Sequence, residues 1–143
     1  MNIVERVTVL RTVELFAGTP GRVLAALAEI AGEVEVSPGE VVLREGDFGQ
    51  TLFVVMAGEL TAERQGRHLA TLGPGSVLGE FAVFVPEPRS ATVSALTSSR
   101  LMSIGKEAVD ELLLDYPEVA FSIIAALVRR FQERNRLLGE AVG

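Results

Sequence analysis

The feature of the sequence that most restricts its fold is a run of about eight short apolar or alternating segments between Gly32 and Gly105. Turn dipeptides, most of them containing glycine, end each segment before it reaches the length of a helix. Closely spaced strands with such turns favour a small barrel or double-sheet roll over βαβ units. The predicted strands are Glu33–Val36, Val41–Leu43, Leu52–Met56, Glu59–Arg64, Arg67–Leu72, Ser76–Leu78, Arg89–Leu96 and Arg100–Ile104.

Helical spacing precedes these strands. From Ile3 to Val13 apolar residues recur every three to four positions, which predicts a short amphipathic helix. Thr19 offers an N-cap and Pro20 a first helical position for a second helix, which Gly32 is expected to end. The chain therefore opens with two predicted helices.

Helical spacing returns after the strands, near Val109, and Pro117 is predicted to start a last helix that reaches about Leu138. Arg134 and Asn135 interrupt its apolar stripe with polar groups. The predicted fold class is mainly β with flanking helices, two before the strands and two after. The stripe of the last helix consists of Ala120, Ile124, Leu127, Phe131 and Leu138.

The composition limits the class of protein. With 143 residues and no linker or low-complexity stretch, the chain is expected to form one compact domain. Its most apolar stretch, Val119 to Val128, is far shorter than the roughly 20 residues that span a bilayer, and no secretory signal opens the chain. We therefore expect a soluble cytoplasmic protein without a membrane span.

Several chemistries are disfavoured by what the sequence lacks. No cysteine occurs, which excludes disulfides, thiolate catalysis and cysteine-ligated zinc. The formal net charge of −6 disfavours a nucleic-acid partner for this chain. The one histidine, His68, has no motif-level base, nucleophile or ligand partner, and no metal-ligand motif is found. We expect no enzymatic activity, no metal and no cofactor.

Arg89 is unusual because it belongs to the apolar row of its predicted strand. In Arg89–Leu96, the residues Ala91, Val93 and Ala95 share one face with it, as the period of two requires. A guanidinium is costly to bury alone. Either an anion binds the Arg89 guanidinium there, or the side chain is exposed at the end of the strand and pairs with Glu87.

Just upstream, the segment from Gly75 to Phe84 passes from a predicted strand into what reads as one helical turn. Glycines before a helix start let backbone N–H groups converge on a phosphate, and the helix dipole adds positive potential. Many glycine-rich turns merely reverse the chain, so this segment indicates a phosphate site only in combination with Arg89.

Together these residues resemble the phosphate-binding cassette of the cyclic nucleotide-binding domain family. Regulatory subunits of cyclic-AMP-dependent kinase, catabolite activator proteins and cyclic-nucleotide-gated channels share this family. The resemblance covers nearly the whole chain and implies a single domain, residues 1–143, with an antiparallel β-roll or jelly-roll barrel. Helices are implied at 1–32 and 105–143, the roll at 33–104 and the cassette at 75–93. The matching strings are Gly79-Glu80-Phe81-Ala82 and Pro88-Arg89-Ser90-Ala91-Thr92-Val93.

The resemblance implies a role for each cassette residue. Arg89 would clamp the cyclic phosphate, and the N–H groups that follow Gly79, near Phe81 and Ala82, would hold its oxygens. Glu80 would accept a hydrogen bond from the ribose 2′-hydroxyl. Ser90, followed by Ala91 in the same site, could reach a phosphate oxygen or a guanine amino group. Ser90 therefore does not decide between nucleotides, and the ligand is expected to be cyclic AMP ahead of cyclic GMP.

The family also places its last helix over the purine as a lid. Asn135 could contact the base edge and Arg134 could stack on it, the alternative being an exposed helix end. Leu69 and Leu78 are candidates for the aliphatic wall against the base, or else are ordinary core leucines.

The expected function is a regulatory module that binds a cyclic nucleotide and transmits its occupancy through the C-terminal helix. Its partner would be a fused effector domain or a separate protein, and the C-terminal helix is a candidate homodimer contact. The chain is either part of a larger protein, such as a channel, transporter or kinase regulator, or acts alone on a partner. The alternative is a ligand-free domain of the same fold that serves as an interaction or structural module.

Overall fold

The structure is a computed structural model that describes the backbone of residues 2–142 and the side chains of residues 2–136. Its helices are α1 (Ile3–Thr12), α2 (Gly21–Ile30), α3 (Lys106–Asp115) and α4 (Ala120–Val142). Its strands are β1 (Gly32–Val36), β2 (Val41–Leu43), β3 (Phe48–Gly49), β4 (Thr51–Ala57), β5 (Leu60–Arg64), β6 (Arg67–Leu72), β7 (Val77–Leu78), β8 (Glu87–Pro88), β9 (Thr92–Ala95) and β10 (Ser99–Gly105).

The strands form two four-stranded sheets and a short ribbon, with the paired strands antiparallel. One sheet has the order β1-β10-β4-β7, the other β2-β9-β5-β6, and β3 pairs with β8. Two helices precede this roll and two follow it. The predicted fold class is therefore confirmed.

Strand β4 connects the roll to the helices because its side chains alternate between two cores. Leu52 and Val54 are fully buried in the cluster that α1 to α4 complete, whereas Val55 is buried in the cluster inside the roll. Its neighbour β10 alternates in the same way, with Met102 on the helical side and Leu101 on the roll side. These two shared strands attach the helical layer directly to the wall of the roll.

The strand predicted over Arg89–Leu96 is shorter in the structure, where β9 begins at Thr92. Arg89 is therefore not part of an apolar strand face. It follows the short strand β8, which pairs with β3, and residues 89–91 form an irregular link between β8 and β9. Strands of two residues, such as β3 and β8, carry no period of their own and were missed by the sequence pattern.

Two helix predictions are also corrected. Helix α2 begins at Gly21 with Pro20 as its N-cap and without a capping side chain, and Thr19 Oγ1 is buried with no hydrogen-bond partner among the described residues. In α4 the buried face consists of Ile123 and Ala126, whereas Ile124 is 54% exposed. The helix has apolar residues on two faces, so spacing alone selected the wrong one. The predicted stripe member Leu138 lies outside the described side chains.

No helix within residues 2–142 is both long enough and apolar enough to cross a membrane.

Candidate functional site

A cavity of about 180 Å³ opens where the cassette turn, the β8–β9 link and α4 meet the roll. Its wall inside the roll is aliphatic, and its polar groups come from the cassette and from α4. The lining residues are Leu43, Ala62, Leu72, Val77, Leu78, Gly79, Glu80, Phe81, Ala82, Glu87, Pro88, Arg89, Ser90, Ala91, Val93 and Arg134.

The backbone of Arg89 is held by the turn that precedes β3. Its N–H donates to the Asp47 carbonyl at 2.8 Å, and its carbonyl accepts from the Gly46 N–H at 2.9 Å. Because β9 has not yet begun at this point, these two hydrogen bonds set the direction in which the Arg89 side chain leaves the chain. That direction is into the cavity.

Arg89 is 9% exposed, and the hydrogen bonds of its guanidinium are only partly satisfied by the described residues. Its Nη2 donates to the Thr51 carbonyl at 2.9 Å, whereas its Nη1 is buried without a hydrogen-bond partner among the described residues. Burial lowers the pKa of Arg89 from its usual value, and the Glu87 carboxylate opposes that shift. A guanidinium remains charged despite such a shift, so a buried cation with an unused donor faces the cavity. This arrangement favours an anionic ligand.

Two glycines make room for the guanidinium. A Cβ atom at Gly79 would overlap Arg89 Nη1, and a Cβ atom at Gly49 would overlap the same guanidinium at Nη2. Gly79 also has φ +74°, a backbone conformation that side chains rarely adopt. Arg89 Nη1, which has no hydrogen-bond partner among the described residues, therefore lies beside Gly79 at the start of the cassette turn.

The turn from Glu80 to Phe84 supplies further donors. The N–H groups of Phe84 and Val85 both donate to the Phe81 carbonyl, at 3.1 Å, which closes one helical turn. The N–H groups of Phe81 and Ala82 donate to no carbonyl of the described residues. Free N–H groups at the start of such a turn attract an anion, and here they lie beside the Arg89 guanidinium.

Glu80 is 8% exposed and contacts helix α4. Its Oε1 accepts hydrogen bonds from Arg130 Nε at 2.9 Å and from Arg130 Nη2 at 2.5 Å. No described residue donates to its Oε2. One carboxylate oxygen thus holds α4, and the other remains able to accept a hydrogen bond from a ligand.

Arg134 forms a second contact between α4 and the cassette. Its guanidinium carbon lies 4.6 Å from the Phe81 ring centroid, and its Nη1 donates to Glu87 Oε1 at 3.4 Å. The Phe81 ring also meets the Phe131 ring edge to face, with centroids 6.2 Å apart. The helix therefore touches the cassette through two arginines and one aromatic pair.

The structure brings nine of the eleven predicted site residues to this one cavity. They are Leu78, Gly79, Glu80, Phe81, Ala82, Arg89, Ser90, Ala91 and Arg134. Leu69 is not among them: it is 49% exposed and falls at a register shift between β5 and β6, where Ala62 pairs with Ala70 and Glu63 with His68. The bulge turns Leu69 outward, and Leu72 lines the cavity in its place. Asn135 is exposed on α4 and does not line the cavity either.

Sequence reasoning missed the residues that hold the site from outside the cassette. Arg130, Thr51 and Gly49 contact Glu80 or Arg89 from other segments. Only the position of Arg130, four residues before Arg134 and hence on the same helix face, could have identified it. Among the described residues no group of three or more His, Cys, Asp or Glu side chains could hold a metal ion. That the chain is not an enzyme remains a prediction.

Comparison with known proteins identifies the family. The profile of the "Cyclic nucleotide-binding domain" family matches residues 33–116, and the chain therefore belongs to this family of regulatory domains. A CRP-like cAMP-activated global transcriptional regulator of Mycobacterium tuberculosis is 28% identical over 133 residues, which are 90% of this chain and 59% of that protein. A cyclic nucleotide-gated potassium channel of Rhizobium etli is 35% identical over 109 residues, 74% of this chain and 30% of the channel.

The fold is likewise that of solved relatives. The crystal structure of the N-terminal domain of a transcriptional regulator from Streptomyces coelicolor A3(2) superimposes with a TM-score of 0.79 at 36% identity. The match covers 90% of this chain and 95% of that domain. The chain spans 59% of the length of the mycobacterial regulator.

Proposed function

We propose that this chain binds cyclic AMP in preference to cyclic GMP and transmits occupancy of the site through α4 to a fused domain or a protein partner. The observation that carries the proposal is the buried Nη1 of Arg89 beside Gly79, which has no hydrogen-bond partner among the described residues. A native fold leaves such a donor empty only rarely, and an anionic ligand would satisfy it.

The geometry supports a defined placement of the nucleotide. Its cyclic phosphate would receive Arg89 Nη1 and the free N–H groups of Phe81 and Ala82. Its ribose 2′-hydroxyl would donate to Glu80 Oε2, the oxygen that Arg130 leaves unused. Its purine would pack on the aliphatic wall, which includes Leu72.

The choice of cyclic AMP has separate support. The name of the mycobacterial relative, 28% identical to this chain, states that cAMP activates it. Ser90, which could contact either a phosphate oxygen or a guanine amino group, does not decide the question. The preference is therefore the part of the proposal that a direct comparison of ligands must test.

Transmission through α4 is supported by the two groups that would serve both ligand and helix. Glu80 offers one oxygen to Arg130 and the other to the ribose, and Phe81 contacts Arg134 and Phe131. A ligand that reorients Glu80 or the Phe81 backbone changes the helix contacts, and only such differential contacts can shift the helix.

Isothermal titration calorimetry with cyclic AMP, cyclic GMP and adenosine 5′-monophosphate tests the proposed function. We expect both cyclic nucleotides to bind, cyclic AMP more tightly, and the open-chain monophosphate to bind far more weakly. In a thermal unfolding assay, a ligand at a hundredfold its Kd adds about 2.7 kcal/mol to the free energy of unfolding. A folded protein that binds neither cyclic nucleotide would instead be the ligand-free interaction module.

The proposed homodimer has its own structural support in α4. Phe121, Ile124, Val128 and Phe131 are spaced by three and four residues and are 82%, 54%, 48% and 46% exposed. In sequence the same spacing continues to Asn135, Leu138 and Val142. This is the heptad pattern of a two-stranded coiled coil, in which an asparagine at one core position fixes register. A second copy of the chain is the occupant that this exposed face fits, and Asn135 would lie within the interface.

A further inference from the structure

A second arginine, outside the cavity, holds the link between β8 and β9. Arg64, the last residue of β5, donates from its Nε to the Ser90 carbonyl at 2.8 Å. Arg64 is half-buried, does not line the cavity and makes no ion pair with any described residue. The Ser90 carbonyl that accepts this hydrogen bond is one residue after Arg89 in the chain, and the Gly46 and Asp47 contacts hold Arg89 but not Ser90.

The same hairpin is anchored to the turn that holds Arg89. Gln65, which follows Arg64, donates its N–H to Glu45 Oε1 at 3.0 Å. The N–H of Glu45 in turn donates to Thr92 Oγ1 at 3.0 Å. The β5–β6 hairpin, the turn before β3 and the start of β9 are therefore tied together around the Arg89–Ala91 link.

This link needs such support because no sheet fixes it. Residues 89–91 lie between β8 and β9 and belong to neither, so ladder hydrogen bonds do not determine their dihedral angles. The Gly46 and Asp47 contacts fix the link at Arg89, and Arg64 fixes it at Ser90. Without the second contact, the link would be fixed at Arg89 but not at Ser90, and the guanidinium would be held less firmly beside Gly79.

We propose that Arg64 is a positioning residue for the phosphate clamp, which acts on the ligand through Ser90 and Arg89 rather than by touching it. This inference rests on the proposed function, because it concerns how tightly the cavity binds a cyclic nucleotide. A partly exposed hydrogen bond of this kind contributes little to folding stability, so the effect is expected mainly in ligand affinity.

Three variants separate positioning from charge. Glutamine carries its side-chain nitrogen at the same distance along the chain as arginine Nε, but it is neutral, so Arg64→Gln can keep the hydrogen bond while it removes the charge. Arg64→Ala removes both. Arg67→Ala is the control, because Arg67 is an exposed arginine of the same hairpin whose side chain makes no hydrogen bond to any described residue.

Calorimetric titration with cyclic AMP is expected to show roughly tenfold weaker binding for Arg64→Ala, the size of a coupling between neighbouring residues. Arg64→Gln should recover most of this loss, and Arg67→Ala should bind like the unchanged chain. Equal losses in Arg64→Gln and Arg64→Ala would overturn positioning in favour of a charge effect. Urea unfolding without ligand should give the same free energy for the two alanine variants.

A double-mutant cycle with Arg89→Lys gives the decisive measurement. If Arg64 acts through the position of the Arg89 guanidinium, Arg64→Ala should cost less than about twofold in affinity once that guanidinium is gone. A full tenfold cost in the Arg89→Lys background would overturn the proposal. If the unchanged chain binds no cyclic nucleotide, the proposed function fails and this inference fails with it. If the chain binds and Arg64→Ala binds equally well, only this inference fails.

Discussion

At the scale of single residues, Arg89 combines burial with an unused donor. Its role on the ligand predicts that Arg89→Ala weakens cyclic nucleotide binding by roughly 2–5 kcal/mol, by analogy with interfacial charge pairs that lose one partner. The free energy of unfolding without ligand should change much less, because the substitution also removes the desolvation cost of a buried cation. Calorimetry for affinity and urea unfolding for stability measure the two effects separately. Unchanged affinity in a folded Arg89→Ala variant would exclude this cavity as the site.

Gly79 and Gly66 form a matched pair for a second prediction. Both have positive φ, +74° and +79°, so alanine at either position should destabilise the fold by roughly 1–3 kcal/mol. Only at Gly79 would the new Cβ meet Arg89 Nη1, since nothing lies within 4 Å of the corresponding position at Gly66. We therefore expect Gly79→Ala to lose nucleotide affinity and Gly66→Ala to keep it, by titration well below each melting temperature. Equal affinities would show that the guanidinium does not need this space.

The role of Glu80 can be tested with two ligands that differ only in the 2′-hydroxyl, so that one ligand is the control for the other. Glu80→Gln should weaken binding of cyclic AMP more than binding of its 2′-deoxy analogue, because only the former offers a hydroxyl to the carboxylate. The comparison also cancels any effect through Arg130, which bonds to the other oxygen of Glu80 in both cases. Competition titrations of the two ligands against both proteins give the four affinities. Losses of equal size would contradict a ribose contact.

At the scale of elements, the sequence predicted those strands whose period and turns agree. Val41–Leu43 and Arg67–Leu72 have the predicted bounds because glycine-containing turns stand close to both ends of each strand. Prediction failed at Leu69, since a bulge reverses the alternation inside an otherwise regular strand. It also failed at Ile124, because α4 presents apolar residues on both faces and only the packing of Ile123 selects the inner one.

Helix α4 provides the prediction at this scale. If ligand binding tightens its contacts with the cassette, hydrogen exchange of residues 130–136 should slow when cyclic AMP is added. Arg134→Ala should remove much of that protection, because Arg134 contacts Phe81 and Glu87. Gln132→Ala is the neighbouring control, since Gln132 is exposed, outside the cavity and outside the face proposed for the homodimer. Mass spectrometry of exchange with and without saturating ligand measures both, and full protection in Arg134→Ala would show that this side chain does not couple the helix to the site.

At the scale of the whole molecule, the candidate site joins segments that are far apart in sequence. The cassette residues Gly79, Glu80 and Arg89 could be predicted because they lie within one short string. The contacts that complete the site could not, because Arg130 lies 50 residues from Glu80 and Thr51 lies 38 residues from Arg89. These residues come together only when the roll and the helices fold, because a pattern within a short stretch of sequence cannot indicate contacts between residues so far apart in the chain.

The oligomeric state gives the last prediction. If the exposed face of α4 pairs with a second copy, Ile124→Glu should convert a dimer into a monomer, because it buries a charge in the core of the coiled coil. Leu114→Glu is the matched control: Leu114 is 81% exposed on α3 and lies outside this face, so the same change of chemistry should leave the dimer intact. Neither site is buried, so both variants should fold. Sedimentation velocity over a range of protein concentrations distinguishes the species, and a monomeric unchanged chain at every concentration would exclude the homodimer.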